Sequence, residues 1–225
     1  MTTIIGLDSC PYGWIASHIN KSGSIEFNII KNLSEILNLK EDISHIAIDM
    51  PVMLLNQERT VDGKARRLLG KRSSTIFNAP VEDALNAAQY HEASLINFNL
   101  TGKKISKQSF NLFNKIKQVR EFKDQNPKIK IYESHPELAF MALNKKKVIL
   151  ESKKTAQGKK LRLFLLNEIY KQFNYEKIRN QFKKTVVNDD DILDALVVMY
   201  VGIKIYNNEA YVIVDDNNKE ITISY

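Results

Sequence analysis

Ile4-Ile5-Gly6-Leu7-Asp8-Ser9-Cys10-Pro11-Tyr12-Gly13-Trp14 combines a short apolar run, a carboxylate at its end and a tight turn. An apolar run of this length closed by Pro and Gly reads as a buried strand. Working outward, residues 14–20 and 24–30 are expected to form a hairpin around Lys21-Ser22-Gly23. Leu33, Ile36 and Leu37 have helical spacing over residues 33–39, with Asn32 as N-cap. Residues 44–49 read as a further strand, stopped by Pro51. Residues 52–127 break this rhythm with helical segments at 61–70, 81–97 and 106–123, the last with Phe110, Phe113, Ile116 and Val119 on one face. The strand pattern resumes at 128–133, and Pro136 opens a helix to about Leu143. Helices are expected at 157–171, 175–183 and 190–206, then a short hairpin of 210–214 and 220–225 around Asp215-Asp216-Asn217-Asn218.

Carboxylates recur at the ends of these elements. Asp8, Asp49 and Glu133 close the runs Ile4–Asp8, Ile46–Asp49 and Ile129–Glu133. Side chains at strand ends reach the crevice beyond the carboxyl edge of an open α/β sheet. Asp191 and Asp194 are three residues apart, so they share one helix face. Acids in a first helical turn also suit the helix dipole, and Asp189 and Asp190 strengthen that plainer explanation. It does not account for Asp194, a turn inside an apolar helix. A buried strand-end carboxylate is costly unless it is paired or binds a cation. Carboxylates without a Cys/His set suit Mg²⁺ or Mn²⁺. Two such ions about 3.5–4 Å apart activate water and stabilise the leaving oxygen of a phosphodiester. The alternative for each acid is a solvated strand-end or capping carboxylate.

The 225 residues fit one domain with a large insertion, and 44% hydrophobic content suits a globular protein. The net charge of +7 suits a nucleic-acid partner, although Lys-, Asn- and Ile-rich chains also arise from biased genome composition. A single cysteine, Cys10, excludes an internal disulfide and is compatible with a cytoplasmic location. No apolar run approaches about 18 residues, so no membrane span is expected. No basic n-region with a cleavage site is seen, so no signal peptide is expected.

Gly6-Leu7-Asp8 with Gly13-Trp14, then Ile48-Asp49-Met50-Pro51, resembles the opening of domain-of-unknown-function family 429, described as predicted nucleases of RNase H-like fold. The resemblance continues through Arg59, Asp62, Ala65-Arg66, Leu69-Gly70, Arg72-Ser73-Ser74, Phe77 and Pro80. It then takes in Ser106, Gln108, Lys115-Ile116, Glu133-Ser134-His135-Pro136-Glu137, Gly158, Arg162 and Asp190-Asp191 with Asp194-Ala195. Singly these motifs are weak; in this order they are specific. Val61 departs from the pattern, where many relatives are expected to carry Cys. The resemblance implies an α/β fold: an RNase H-like mixed five-stranded sheet flanked by helices, with a helical insertion after the fourth strand. Asp191, Asp194 and Ala195 are also similar to the C-terminal motif of RuvC-type resolvases. That likeness implies metal ligation by Asp8, Asp49, Asp191 and Asp194. A role for Glu133 is implied by the uncharacterised family alone.

Arg59, Arg66 and Arg72 lie on the family-like pattern, and guanidinium groups bind phosphate bidentately. Ser73 and Ser74 would add donors. The alternative is a solvated helix face, or pairing with Glu58 and Asp62. His135 suits acid/base work or orientation of Glu133, yet a lone His before Pro is more often structural. Trp14 reads as packing. The lysines from Lys145 to Lys160 would track a phosphate backbone, or form a solvated loop.

These readings converge on a metal-dependent phosphodiesterase, a nuclease acting on DNA or RNA. The competing expectations are a non-catalytic nucleic-acid-binding module with a relic site and a small-molecule phosphodiesterase. A kinase-like phosphotransferase needs Gly-rich phosphate loops, which eight glycines and the Asp8–Gly13 turn do not supply.

Overall fold

The computed structural model describes residues 3–40 and 42–225. Five strands, β1 (Thr3–Ser9), β2 (Trp14–Ile19), β3 (Ile25–Ile30), β4 (Ile43–Ile48) and β5 (Lys130–Glu133), form one sheet in the order β3-β2-β1-β4-β5. β1, β2 and β3 are antiparallel, whereas β4 and β5 add to β1 in parallel. The sheet is mixed and flanked by helices, and its order fits the RNase H-like arrangement expected from the sequence. Among the described residues, no helix is long and apolar enough to cross a membrane.

The helical insertion lies between β4 and β5. It holds α1 (Thr60–Leu69), α2 (Tyr90–Thr101), α3 (Lys107–Asn111) and α4 (Phe113–Gln125), with 3-10 turns at Gly70–Thr75 and Asp83–Asn86. The helix expected over residues 81–97 begins only at Tyr90. Upstream amides bond outside a helical ladder: Val81 N–H donates to Asn97 Oδ1, Glu82 N–H to Leu55 O and Asp83 N–H to Asn56 Oδ1. The segment expected at 106–123 is two helices divided at Leu112. The stretch 33–39 is a 3-10 helix, Leu33–Asn38, closed by the expected Asn32 cap in a capping box with Glu35. After β5 come α5 (Pro136–Leu143), α6 (Ala156–Ile169), α7 (Tyr175–Arg179) and α8 (Asp189–Tyr206). A small hairpin, β6 (Val212–Val214) with β7 (Thr222–Ser224), lies beside β5 through a Ser134–Ser224 bridge.

Strand alternation divides the core. Ile5, Leu7, Ile46 and Ile48 pack with the insertion's Phe113, Ile116 and Val119. Ala47 and Ile15, on the other face, pack with Ala195, Leu196 and Val198 of α8. The closest approach is at Gly6, where a Cβ would stand 2.3 Å from both Ala195 O and Met199 N. Ser17 Oγ–H donates to Ala195 O at 2.8 Å, pinning α8 against β1 at the same level. Glycine is required at Gly6 because a helix backbone lies directly on the strand there. That contact fixes how far α8 slides along the sheet.

Candidate active site

Two neighbouring strands carry Asp8 and Asp49 to the same edge and the same face. Leu7 is in register with Ile48, and Asp49 N–H donates to Leu7 O at 3.1 Å, extending the parallel ladder by one residue. Asp8 and Asp49 therefore follow Gly6 and Ala47 onto the α8 face. The Gly6–Ala195 contact then brings the first turns of α8, with Asp191 and Asp194, beside them. Asp8 and Asp194 are buried, at 5% and 1% exposure, and Asp49 is partly exposed.

One oxygen of the Asp191 side chain is committed to the helix. Its Oδ2 accepts hydrogen bonds from Asn188 N–H at 2.8 Å and from Asn188 Nδ2 at 3.1 Å, completing a capping box for α8. The capping explanation from sequence thus holds for one oxygen of Asp191. It does not extend to Asp194, whose Oδ1 is buried without a partner among the described residues.

Burial and mutual repulsion govern the charge state here. Burial, then the charges of Asp194 and Asp49, pushes Asp8 well above the usual carboxylate range. Burial raises Asp49 to about 7 and Asp194 to about 6, against the opposing pull of Lys153. Asp191 is raised by burial as well. Lys153 is the cation felt by all four carboxylates. Its Nζ donates to Asp194 Oδ2 at 2.5 Å and lies 3.3 Å from Asp190 Oδ2. Although burial opposes it, the surrounding carboxylates, Asp194 foremost, hold the Lys153 ammonium charged well above the ordinary lysine value.

The loop carrying Lys153 is anchored by residues that belong to the sequence pattern. A Cβ on Gly158 would stand 2.1 Å from Ser152 O, so the loop lies against the first turn of α6 only because that residue is glycine. Thr155 Oγ1 accepts Gly158 N–H at 3.1 Å and caps α6. Arg162, fully buried, donates to Glu151 O at 3.1 Å and binds both oxygens of Glu137 at 2.7 and 2.8 Å. Glu137, whose charge also raises Asp49, meets Arg72 at 3.5 Å on its other side. Lys153 did not stand out in the sequence from its neighbours Lys145, Lys146, Lys147 and Lys154; only the position two residues before the Thr155 cap distinguishes it.

Glu133 does not join this group. Its partner in register is Ile48, so it points to the opposite face of the sheet from Asp49. There Glu133 Oε1 lies 2.5 Å from Arg59 Nη2 and Oε2 accepts Val52 N–H at 3.2 Å. Arg59, also expected at the substrate, is 2% exposed and held by Asp62 at 3.1 Å and Met53 O at 2.9 Å. The pairing with Asp62 foreseen as the alternative is present, whereas Glu58 pairs with Lys103 instead. Ser134, next along β5, is buried with an unpartnered Oγ, and its N–H donates to Ile48 O at 2.9 Å. This hydroxyl was not singled out from the sequence.

The remaining expected contacts sit on the insertion. Arg66 Nη1 donates to Ile76 O at 2.5 Å, and Ser73 and Ser74 lie in the Gly70–Thr75 turn. His135 Nε2 is 3.3 Å from Thr75 O, and burial lowers its pKa, leaving it neutral near pH 7 and suited to a structural role. Trp14 is fully buried and donates to Gln118 Oε1 at 2.9 Å, so it packs.

A family profile described as "Protein of unknown function (DUF429)" matches residues 6–219, from β1 past α8. The chain belongs to the DUF429 family. No curated protein and no solved structure matches the chain significantly. The sequence pattern that suggested DUF429 maps onto the structure as glycines at close contacts, Gly6 and Gly158, and as acids at one sheet edge.

The donor set of this DUF429 chain fits a hard divalent cation in chemistry: oxygen ligands alone, raised carboxyl pKa values and the orphaned Asp194 Oδ1. Among the described residues, no three acidic, His or Cys side chains yet converge closely enough to hold one ion. The Lys153 ammonium stands among them as a stand-in cation.

Proposed function

We propose that this protein is a metal-dependent phosphodiesterase that hydrolyses nucleic acid at Asp8, Asp49, Asp191 and Asp194. The observation that carries this reading is uncompensated charge. Four carboxylates share one edge of the fold, answered there by Lys153, and a buried oxygen of Asp194 lacks a partner. Buried charge of this kind is retained where a ligand neutralises it. Mg²⁺ or Mn²⁺ would supply an activated water and charge stabilisation at the scissile phosphate. Asp8, Asp49 and Asp194 would hold the metal, with Asp191 contributing the oxygen free of the cap. Lys153 would exchange its carboxylate partners for a phosphate oxygen. Arg72, at the mouth of the Glu137 ion pair, would contact the same strand.

The test incubates the protein with labelled single- and double-stranded DNA and RNA and Mn²⁺ or Mg²⁺, beside Asp8→Asn and Asp194→Asn. Cleavage by the wild type and its loss in both variants is expected. Full activity in either variant would sink the proposal.

A second reading draws on the Lys153–Asp194 contact. If the ammonium permanently replaces the cation, the protein binds nucleic acid without turnover. Calorimetric titration with Mn²⁺ separates the two: heat of binding that disappears in Asp194→Asn supports the phosphodiesterase, and its absence in wild type supports the binding module.

A further inference from the structure

The insertion contains a second feature that the carboxylate site does not use. A cleft of about 310 Å³ opens between α1, the segment after the Gly70–Thr75 turn and the α2–α3 connection. That volume is at the lower end of small-ligand sites. Arg66, Ser74, Phe77, Asn78, Lys104 and Gln108 line it. These come from four separate stretches of the insertion, and Arg66, Ser74, Phe77 and Gln108 are among the residues that carry the family resemblance.

Its charge is unbalanced. Lys103 is answered by Glu58 at 2.6 Å. Among the described residues, Arg66 and Lys104 have no carboxylate partner, and the Arg66 guanidinium has one hydrogen bond, to Ile76 O. The cleft therefore favours an anion. Phe77 is partly buried and gives it an aromatic wall, and Asn78 and Gln108 are exposed with side-chain amides free of intramolecular partners. A cationic wall, an aromatic surface and free amides together match a phosphate joined to a base, which stacks on aromatic rings and hydrogen-bonds along its edge.

One turn links the cleft to residues that neighbour the carboxylates. The 3-10 turn that contributes Ser74 also places Arg72 3.5 Å from Glu137 and Thr75 O 3.3 Å from His135 Nε2.

We infer that this cleft is a nucleotide subsite, in which Arg66 and Lys104 hold a backbone phosphate and Phe77 stacks the base of a single strand that continues to the carboxylates. The choice of ligand rests on the nucleic-acid reading of the carboxylate site, but its test needs no turnover. Full-length protein in EDTA is titrated with short single-stranded DNA and RNA oligonucleotides carrying a fluorescein label and one 2-aminopurine, followed by anisotropy and by 2-aminopurine quenching.

Binding with quenching is expected. Lys104→Glu, at an exposed and unpaired position, weakens affinity by about five- to tenfold. Lys21→Glu, the same charge change in the β2–β3 turn, weakens it by less than about twofold. Phe77→Leu keeps apolar bulk, removes the quenching and weakens affinity by about fivefold or more. Equal effects of Lys104→Glu and Lys21→Glu, unchanged quenching in Phe77→Leu, or no oligonucleotide binding by wild type would each overturn the subsite. So would a phosphate or mononucleotide that competes as well as the oligonucleotide, which would assign the cleft to a small phosphate ester. Binding that follows the expected pattern in a protein without cleavage activity would leave the subsite standing and refute the phosphodiesterase alone.

Discussion

Two groups of buried acids lie on opposite faces of one sheet edge, and they are handled differently. On the insertion face, Glu133 and Asp62 converge on Arg59, and Asp62 Oδ2 also accepts Ala79 N–H at 2.8 Å. Nearby, Asp215 is fully buried and accepts Thr60 N–H and Val61 N–H, capping α1 from the β6–β7 hairpin. Each of these carboxylates has a cation or amide donors. On the α8 face, Asp8 accepts Ser9 N–H and Asp191 accepts two donors from Asn188, but the charges of Asp8, Asp49, Asp191 and Asp194 are set against the shared Lys153, and among the described residues Asp194 Oδ1 has no partner. Burial alone does not distinguish the two groups. The balance of charge does: the first group is neutralised within the fold, and the second is the one to which the proposed phosphodiesterase role is given.

The largest expected effect breaks the balanced group. Arg59→Met leaves Glu133 and Asp62 buried without their cation and is expected to cost about 3–5 kcal/mol in urea unfolding. Adding Glu133→Gln should recover part of that loss. A cost below about 1 kcal/mol would mean that Arg59 does not hold this cluster together.

The unbalanced group should show itself in pH. Asp49 at about 7 and Asp194 at about 6 lie above the value near 4 of an unfolded aspartate. Between those limits the native state holds more protons than the unfolded state. Stability without metal therefore falls as pH rises from about 4 to about 7, by several kcal/mol. Glu133, raised by burial to about 7, acts in the same direction. Excess Mn²⁺ should flatten the part due to Asp49 and Asp194 and leave the Glu133 part. Chemical denaturation at pH 5 and 7.5, in EDTA and in Mn²⁺, measures both.

Asp8→Asn removes one of the repelling charges. It is expected to stabilise the metal-free protein by about 1–2 kcal/mol at pH 7.5 while abolishing cleavage, as happens when binding groups are held at a cost to stability. A destabilised Asp8→Asn protein would place Asp8 with the structural acids. The smallest effect belongs to a surface pair. Lys171 and Glu168 lie 3.2 Å apart and are both largely exposed, so Lys171→Ala should change stability by less than about 0.5 kcal/mol in the same denaturation assay.

Much of this comparison was legible in the sequence. The apolar runs ending in Asp8 and Asp49 identified two strands, whose adjacency only the sheet order gives, and the three-residue spacing of Asp191 and Asp194 placed both on one helix face. Glu133 misled because strand alternation alone does not reveal register. Its alignment with Ile48 rather than Asp49 turned it to the other face. Arg59 was weighed between phosphate and Asp62, and its Glu133 partner is 74 residues away in sequence. Lys153 was indistinguishable among lysines because its position depends on Gly158 and Arg162 holding a loop, a tertiary effect without a local signal. The delayed start of α2 has the same origin, since Asn97 and Asn56 draw the preceding amides out of a helix.

The seating of α8 on Gly6 also bears on how the chain reaches its native state. Ser17 and Ala195, joined by a hydrogen bond, are 178 residues apart, and Asp215 caps α1 across 155 residues. Such distant partners make the fold one of high contact order, with loop closure preceding most of its packing. During synthesis β1 leaves the ribosome early, with a bare glycine where α8 will later lie. The half-built sheet must wait, one face uncovered, until α8 has been made, and an uncovered apolar sheet face favours aggregation.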